Sequence, residues 1–182
     1  MTQALYFVVK TLAQLYVLLL LLRFWLPWLR ADFRNPIAQG ILRFTSPLIV
    51  PLRRFLPSIG RLDSATILVA FLVQFITVLV LLAIARRSVD TLTVAFVSVI
   101  ELAILSLNLF FFAVLIRIIL SWVAPGNYNP ITALLTTLSE PILRPFRRLI
   151  PPIGGLDISP IFAIVLLQAG VILLQSIKPV PV

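Results

Sequence analysis

Two stretches of this chain hold no charged residue for the length of a membrane crossing. Ala65–Ala85 runs 21 residues and Ile158–Ile177 runs 20, both without Asp, Glu, Lys or Arg. About 20 apolar residues in a helix cross a hydrocarbon core of about 30 Å. In that solvent each backbone N–H and C=O must be bonded within the segment, so the choice narrows to helices or a closed barrel. Runs this long and this uniformly apolar select helices. Two further runs, Ala4–Leu26 and Val97–Ser121, carry one interior charge each, Lys10 and Glu101. The expectation is an all-α membrane protein with four transmembrane helices at 4–26, 65–85, 97–121 and 158–177.

Composition agrees. Hydrophobic residues make up 61% of the 182 and charged residues 12%, against roughly half and a quarter in soluble domains. The sequence has no Cys and no His. Thiolate chemistry, disulfides and the commonest metal and haem ligands are therefore missing. No paired carboxylates, nucleophile–base pair or phosphate-cradling Gly loop stands out, so no cofactor and no catalysis are expected. Residues 1–26 lack a charged leader and a small-residue cleavage site, and read as a retained span.

The net charge of +9 comes from 15 Lys and Arg against 6 Asp and Glu. The arginines lie between the apolar runs, which points to membrane headgroups and not to nucleic acid. The segments 23–64 and 117–157 hold eleven basic residues, and the opposite side holds Lys10, Arg86, Arg87 and Lys178. The positive-inside tendency then places loops 27–64 and 122–157 in the cytoplasm and both termini in the periplasm. Arg86 and Arg87 weigh the other way. Trp25, Trp28 and Trp122 fall where an interfacial aromatic belt is expected.

The chain also aligns with itself at an offset of 94. From Arg23 to Asp63, 15 of 41 positions are identical to their counterparts. Arg23 meets Arg117, Trp28 meets Trp122, and Asn35-Pro36 meets Asn129-Pro130. Pro47 and Pro51 meet Pro141 and Pro145, Arg53-Arg54 meets Arg147-Arg148, and Asp63 meets Asp157. Two repeats follow, 1–90 and 91–182, each a helix, a Pro-rich amphipathic segment and a second helix. With two spans per copy the repeats share one orientation, related by a pseudo-twofold along the membrane normal. Asn35 and Asn129 read as helix N-caps with Pro36 and Pro130 at the first helical position. Pro47 and Pro51 are expected to end or redirect the short helix that follows. That helix lies in the interface or, as the alternative, re-enters the membrane.

The string Arg–x4–Trp–x6–Asn-Pro–x10–Pro–x3–Pro-x-Arg-Arg–x2–Pro–x2–Gly-x-x-Asp, present twice, resembles the YggT family, and the resemblance covers essentially the whole chain. Its two-repeat form is similar to the proteobacterial branch, whereas YlmG-like relatives of cyanobacteria and plastids usually carry one repeat. The resemblance implies a bacterial inner-membrane protein without a settled activity. Roles linked to that family are osmotic or ion homeostasis, cell division and nucleoid distribution, and assembly of a membrane cytochrome. The repeats differ after the Asp: Asp63-Ser64-Ala65 stands against Asp157-Ile158-Ser159-Pro160.

Few polar residues interrupt the spans. Gln14 matches Asn108 and Gln74 matches Gln168 at the repeat offset. From Arg23 and Asp63, a rise of 1.5 Å per residue puts all four amides near the midplane. They serve as interhelical glue, or as a polar ring that admits water or a monovalent cation. Lys10 and Glu101 fall at one depth on different repeats and are expected to pair; a cation-handling carboxylate at Glu101 is the alternative. Arg23 with Asp63, and Arg117 with Asp157, are expected to bridge the two helices of each repeat. Arg53, Arg54, Arg147 and Arg148 offer charge to anionic lipids or to an acidic cytoplasmic protein. Two functions remain open: a membrane scaffold or assembly factor docking partners through its basic loops, with a homo-oligomer allowed, and a small ion-permeation or osmotic-homeostasis protein using the midplane amides.

Overall fold

The computed structural model describes residues 2–56, 58, 63–123, 126, 129–150 and 157–180. Those residues form six helices: α1 Thr2–Trp28, α2 Pro36–Arg53, α3 Ser64–Ile84, α4 Thr91–Val123, α5 Pro130–Leu149 and α6 Ser159–Ser176. Four of them, α1, α3, α4 and α6, are long and apolar enough to cross a membrane. The protein is thus an all-helical, multi-pass membrane protein with the element order helix, short amphipathic helix, helix in each half.

The spans are longer than the sequence suggests at two places. α4 has 33 residues and α1 has 27, about 50 and 40 Å of helix. α6 has 18 residues, about 27 Å. The first turns of α1 and α4 extend past its end. Their apolar faces (Leu5, Phe7 and Leu92, for instance) stay exposed. Leu and Phe gain little from one another over lipid, so exposure there carries no penalty.

Within each repeat the two spans pack closely: α1 on α3, and α4 on α6. Gly170 lets α6 come near, since a Cβ there would meet Leu107 Cδ1 at 3.1 Å. Between repeats the packing is unequal. α3 lies against α4 through Val78, Leu82, Val94 and Val97, but α6 forms no comparable interface with α1. The pseudo-twofold that the repeat pattern implies is broken on that side. The α3–α4 turn is tight, closed by Arg86 at φ 53° and by Arg87 N–H donating to Leu82 C=O at 2.9 Å. This is a left-handed helix stop that an arginine fills where glycine is usual.

α2 and α5 depart from expectation. The helices run unbroken through Pro47, Pro51, Pro141 and Pro145, where the prolines were expected to end or redirect them. All four prolines lie on the exposed face, spaced four apart. The carbonyls they leave unbonded belong to residues i−4. The buried face of α2 is Ala38, Ile41, Thr45 and Ile49, a spacing of one helical stripe. It folds back along the end of α1, meeting Leu26 with Ala38 and Ile41, then Leu20 and the first turns of α3 with Ile49. It covers the helix ends and stops short of Gln14 and Gln74, which fits an interfacial helix. The motif residues Pro57, Ile59, Gly60, Leu62, Pro151, Ile153, Gly154 and Leu156 lie outside the described residues.

Candidate functional site

Each repeat carries an arginine clamp where its three helices meet. Asn35 and Asn129 start α2 and α5 as N-caps, Asn35 accepting from Ile37 N–H at 2.9 Å and Asn129 from Thr132 N–H at 2.9 Å. Those starts set the rotation of each amphipathic helix, so hydroxyls ten residues on point at the spans. Arg23, 3% exposed, donates to Thr45 Oγ1 at 2.8 Å, Ser46 Oγ at 3.0 Å and Leu42 C=O at 3.2 Å. Arg117 donates to Ser139 Oγ at 2.9 Å and Glu140 Oε2 at 2.8 Å. The two clamps are counterparts at the repeat offset, with Glu140 standing where repeat 1 has Ser46.

The expected Arg–Asp bridge is present in repeat 1 as an ion pair, Arg23 Nε lying 4.0 Å from Asp63 Oδ2, while the hydrogen bonds of Asp63 come from Arg53 and Thr66. In repeat 2 Arg117 takes Glu140, and Asp157 takes Arg147 Nε at 2.7 Å. Arg147 also reaches Glu140 Oε1 at 3.1 Å. The cause is the fold-back of α2 and α5. It inserts their own acceptors beside the span arginine and brings the second motif arginine down to the aspartate. Arg53 and Arg147 are therefore tied within the fold, and only Arg54 and Arg148 of those pairs are left for outside contacts. Burial pushes the Asp157 carboxyl up, but bonds from Ser159 and Arg147 hold it below the usual carboxylate range. The Arg117 hydrogen bond does the same for Glu140.

The intramembrane polar residues gather unequally. A groove of about 430 Å³ opens between α1, α4 and α6, lined among others by Lys10, Gln14, Glu101, Asn108, Gln175 and Lys178. It occupies the flank where α6 fails to reach α1. A second space of about 10 Å³, room for about one water, lies behind it among Lys10, Gln14, Gln74 and Glu101. Gln74 is 3% exposed and its Oε1 accepts no hydrogen bond from the protein. Gln168 is half-buried on α6 and lines neither space. Gln14 thus shares one space with Asn108 and the other with Gln74, and the symmetric ring of four is not formed.

Glu101 also carries an ion pair that the sequence did not predict. Lys178 Nζ donates to Glu101 Oε1 at 2.6 Å, with side chains 13% and 9% exposed. The expected partner, Lys10, lines the same groove and stands 6.0 Å from the Tyr6 ring centroid. Lys178 reaches Glu101 because the chain turns after Ser176 and crosses α4, so that Val180 packs beside Val78 and Val94. No sequence signal pointed to this: Lys178 lies beyond the span, where a basic residue reads as a flank. Trp25 likewise turns inward, edge-on to Phe110 at 5.0 Å, while Trp28 and Trp122 stay exposed. Among the described residues no three acidic side chains gather as a metal site would need.

At the loop side, Arg43 is exposed on α2 with Arg54 just past its end, and Arg144 and Arg148 share one exposed face of α5. Exposed Phe44, Phe55 and Leu149 lie beside them.

Comparison with known proteins completes the description. The family model described as CCB3/YggT matches twice, over residues 2–84 and 96–177. An uncharacterized protein of Pseudomonas aeruginosa is 45% identical over 169 residues, covering 92% of this chain and 85% of the relative. The Escherichia coli K12 protein YggT, also described as uncharacterized, is 39% identical over 88% of this chain and 84% of its own length. A chloroplast YlmG homolog of Arabidopsis thaliana is 42% identical over 66 residues, 35% of this chain and 25% of that protein. No solved structure matches.

Proposed function

The chain belongs to the CCB3/YggT family, and on that premise we propose that it works without catalysis, as a membrane-embedded scaffold for assembling membrane complexes. Its site of action is a bacterial inner membrane, with α2 and α5 on the cytoplasmic side and both termini in the periplasm. The observation that carries the reading is the pair of arginine clamps. They fix α2 and α5 against the spans, so each presents a rigid outward face with arginines at Arg43, Arg54, Arg144 and Arg148. Rigid presentation lowers the entropic cost of docking, and the charge suits an acidic partner or anionic headgroups. The absence of His and Cys from the sequence supports a role without bond chemistry.

Charge reversal tests it. Arg54→Glu/Arg148→Glu leaves both clamps intact, unlike any change at Arg53 or Arg147. The expected result, read by site-specific photo-crosslinking at Phe55 and Leu149 in living cells, is at least a tenfold loss of a discrete cross-linked protein with unchanged membrane insertion. An unchanged adduct, or adducts to lipid alone, would remove the docking role.

A second reading, ion permeation, is favoured by one observation: the two polar spaces share Lys10, Gln14 and Glu101.

A further inference from the structure

The groove between α1, α4 and α6 has an order to its polarity. Lys178 follows the end of α6 by two residues, so its pair with Glu101 sits at the terminus-side end of that span. By the repeat offset, Lys10 corresponds to Ile104, three residues below Glu101 on α4, or about 4–5 Å deeper. Gln14 and Asn108 correspond to each other, and Gln14 lies one turn, about 6 Å, below Lys10. Beneath them the wall is Leu18, Leu109 and Phe112. Charge, then amide, then hydrocarbon follow one another along a single groove about 430 Å³ in volume, open on its flank.

A phospholipid has that same order: a charged headgroup at the interface, ester carbonyls several ångströms deeper, acyl chains below. The two lysines and one glutamate give the groove a net charge of +1, matching one phosphodiester. Gln14 and Asn108 are half-buried, at a depth where unpaired amide N–H groups are costly, and the ester oxygens would accept from them. Water alone would satisfy the amides but would leave the apolar floor in contact with it.

We propose that this groove is a binding site for one phospholipid of the terminus-side leaflet. Its phosphodiester lies by Lys10 and Lys178, its ester carbonyls accept hydrogen bonds from Gln14 and Asn108, and its chains run past Leu18, Leu109 and Phe112. The site is independent of the docking face on the opposite side of the membrane.

Native mass spectrometry of the full chain, purified in micelles and offered phosphatidylglycerol, tests this directly. The wild type is expected to retain one lipid per chain through activation that strips surface lipid. Gln14→Leu/Asn108→Leu is expected to lower that occupancy at least tenfold. Thr11→Trp, which fills the groove and removes no amide, should do the same if its elution and helicity match the wild type. Gln168→Leu, which alters a matched amide outside the groove, should change nothing. No retained lipid in the wild type, equal retention by both groove variants, or an equal loss in Gln168→Leu would overturn the proposal. So would displacement of the adduct by soluble glycerol 3-phosphate, which would mean a phosphate site without the lipid. A dimer that the groove variants dissolve would assign the surface to a second copy of the chain instead.

Discussion

At the scale of single residues, the two repeats solve one problem with different chemistry. Each sets a guanidinium against the middle of an interfacial helix, buried at Arg23 and half-buried at Arg117. Repeat 2 sets Arg117 and Arg147 against Glu140 and Asp157, a neutral group of four. Repeat 1 sets Arg23 and Arg53 against Asp63 alone, with hydroxyls at Thr45 and Ser46, and Arg23 Nε makes no hydrogen bond. Asp63, with its side chain 9% exposed, is thus the one anion of its clamp among the described residues, while Asp157 is 40% exposed and has Glu140 behind it. Removing one member of a buried pair costs about 3–5 kcal/mol, whereas an exposed pair is worth about 0–1 kcal/mol. Asp63→Asn is therefore expected to destabilise by about 3 kcal/mol and Asp157→Asn by about 1 kcal/mol at most. Asparagine keeps the cap of Asp63 on Thr66 N–H and the bond of Asp157 to Ser159 N–H, so the difference reports the charge. Equal losses in reversible micelle unfolding would mean the two clamps are energetically alike.

Among the elements, the prolines of α2 and α5 separate two accounts of the interfacial helix. A proline inside a formed helix forgoes one backbone bond and costs up to about 3 kcal/mol against alanine. Its restriction of the unfolded chain returns about 1 kcal/mol. If α2 runs through Pro47 as the structure has it, Pro47→Ala restores the bond to Arg43 C=O and should raise stability by about 1 kcal/mol. A helix ending there would gain nothing, and loss of the proline's rigidity would lower the melting temperature. The start of the element was legible in the sequence: Asn35-Pro36 and Asn129-Pro130 predicted both caps. Its continuation was not, because the expectation treated each proline alone. Four prolines on one exposed face leave the buried stripe intact, and that geometry only appears once the helix is wound. The hydroxyls at Thr45 and Ser139 did lie at the repeat offset, so the clamp could have been found there. Glu140 could not, since its counterpart is Ser46.

For the whole molecule, the repeat predicted the order of elements but overstated the symmetry. The four long helices and the two amphipathic ones were readable because hydropathy and an offset of 94 are properties of the chain itself. The open flank was not readable, because it depends on α3 packing on α4 while α6 leaves α1 uncovered. That asymmetry bears on permeation. A path along the pseudo-twofold needs its amides on the axis, yet Gln14 and Asn108 face a groove at the side, and Gln168 lines neither polar space. The groove ends on Leu18, Leu109 and Phe112, and Gln74 behind it borders a space for about one water. A monovalent cation moving past those side chains would shed its hydration with nothing to replace it. Proteoliposomes holding the single chain, loaded with potassium and read with an ion-sensitive dye, are therefore expected to leak no faster than empty vesicles. Gln14→Leu/Asn108→Leu should then leave the rate unchanged. Flux that this variant abolishes would place an ion path in the groove. It would also move the amides from lipid contact to conduction, and the scaffold reading would lose its claim on the molecule.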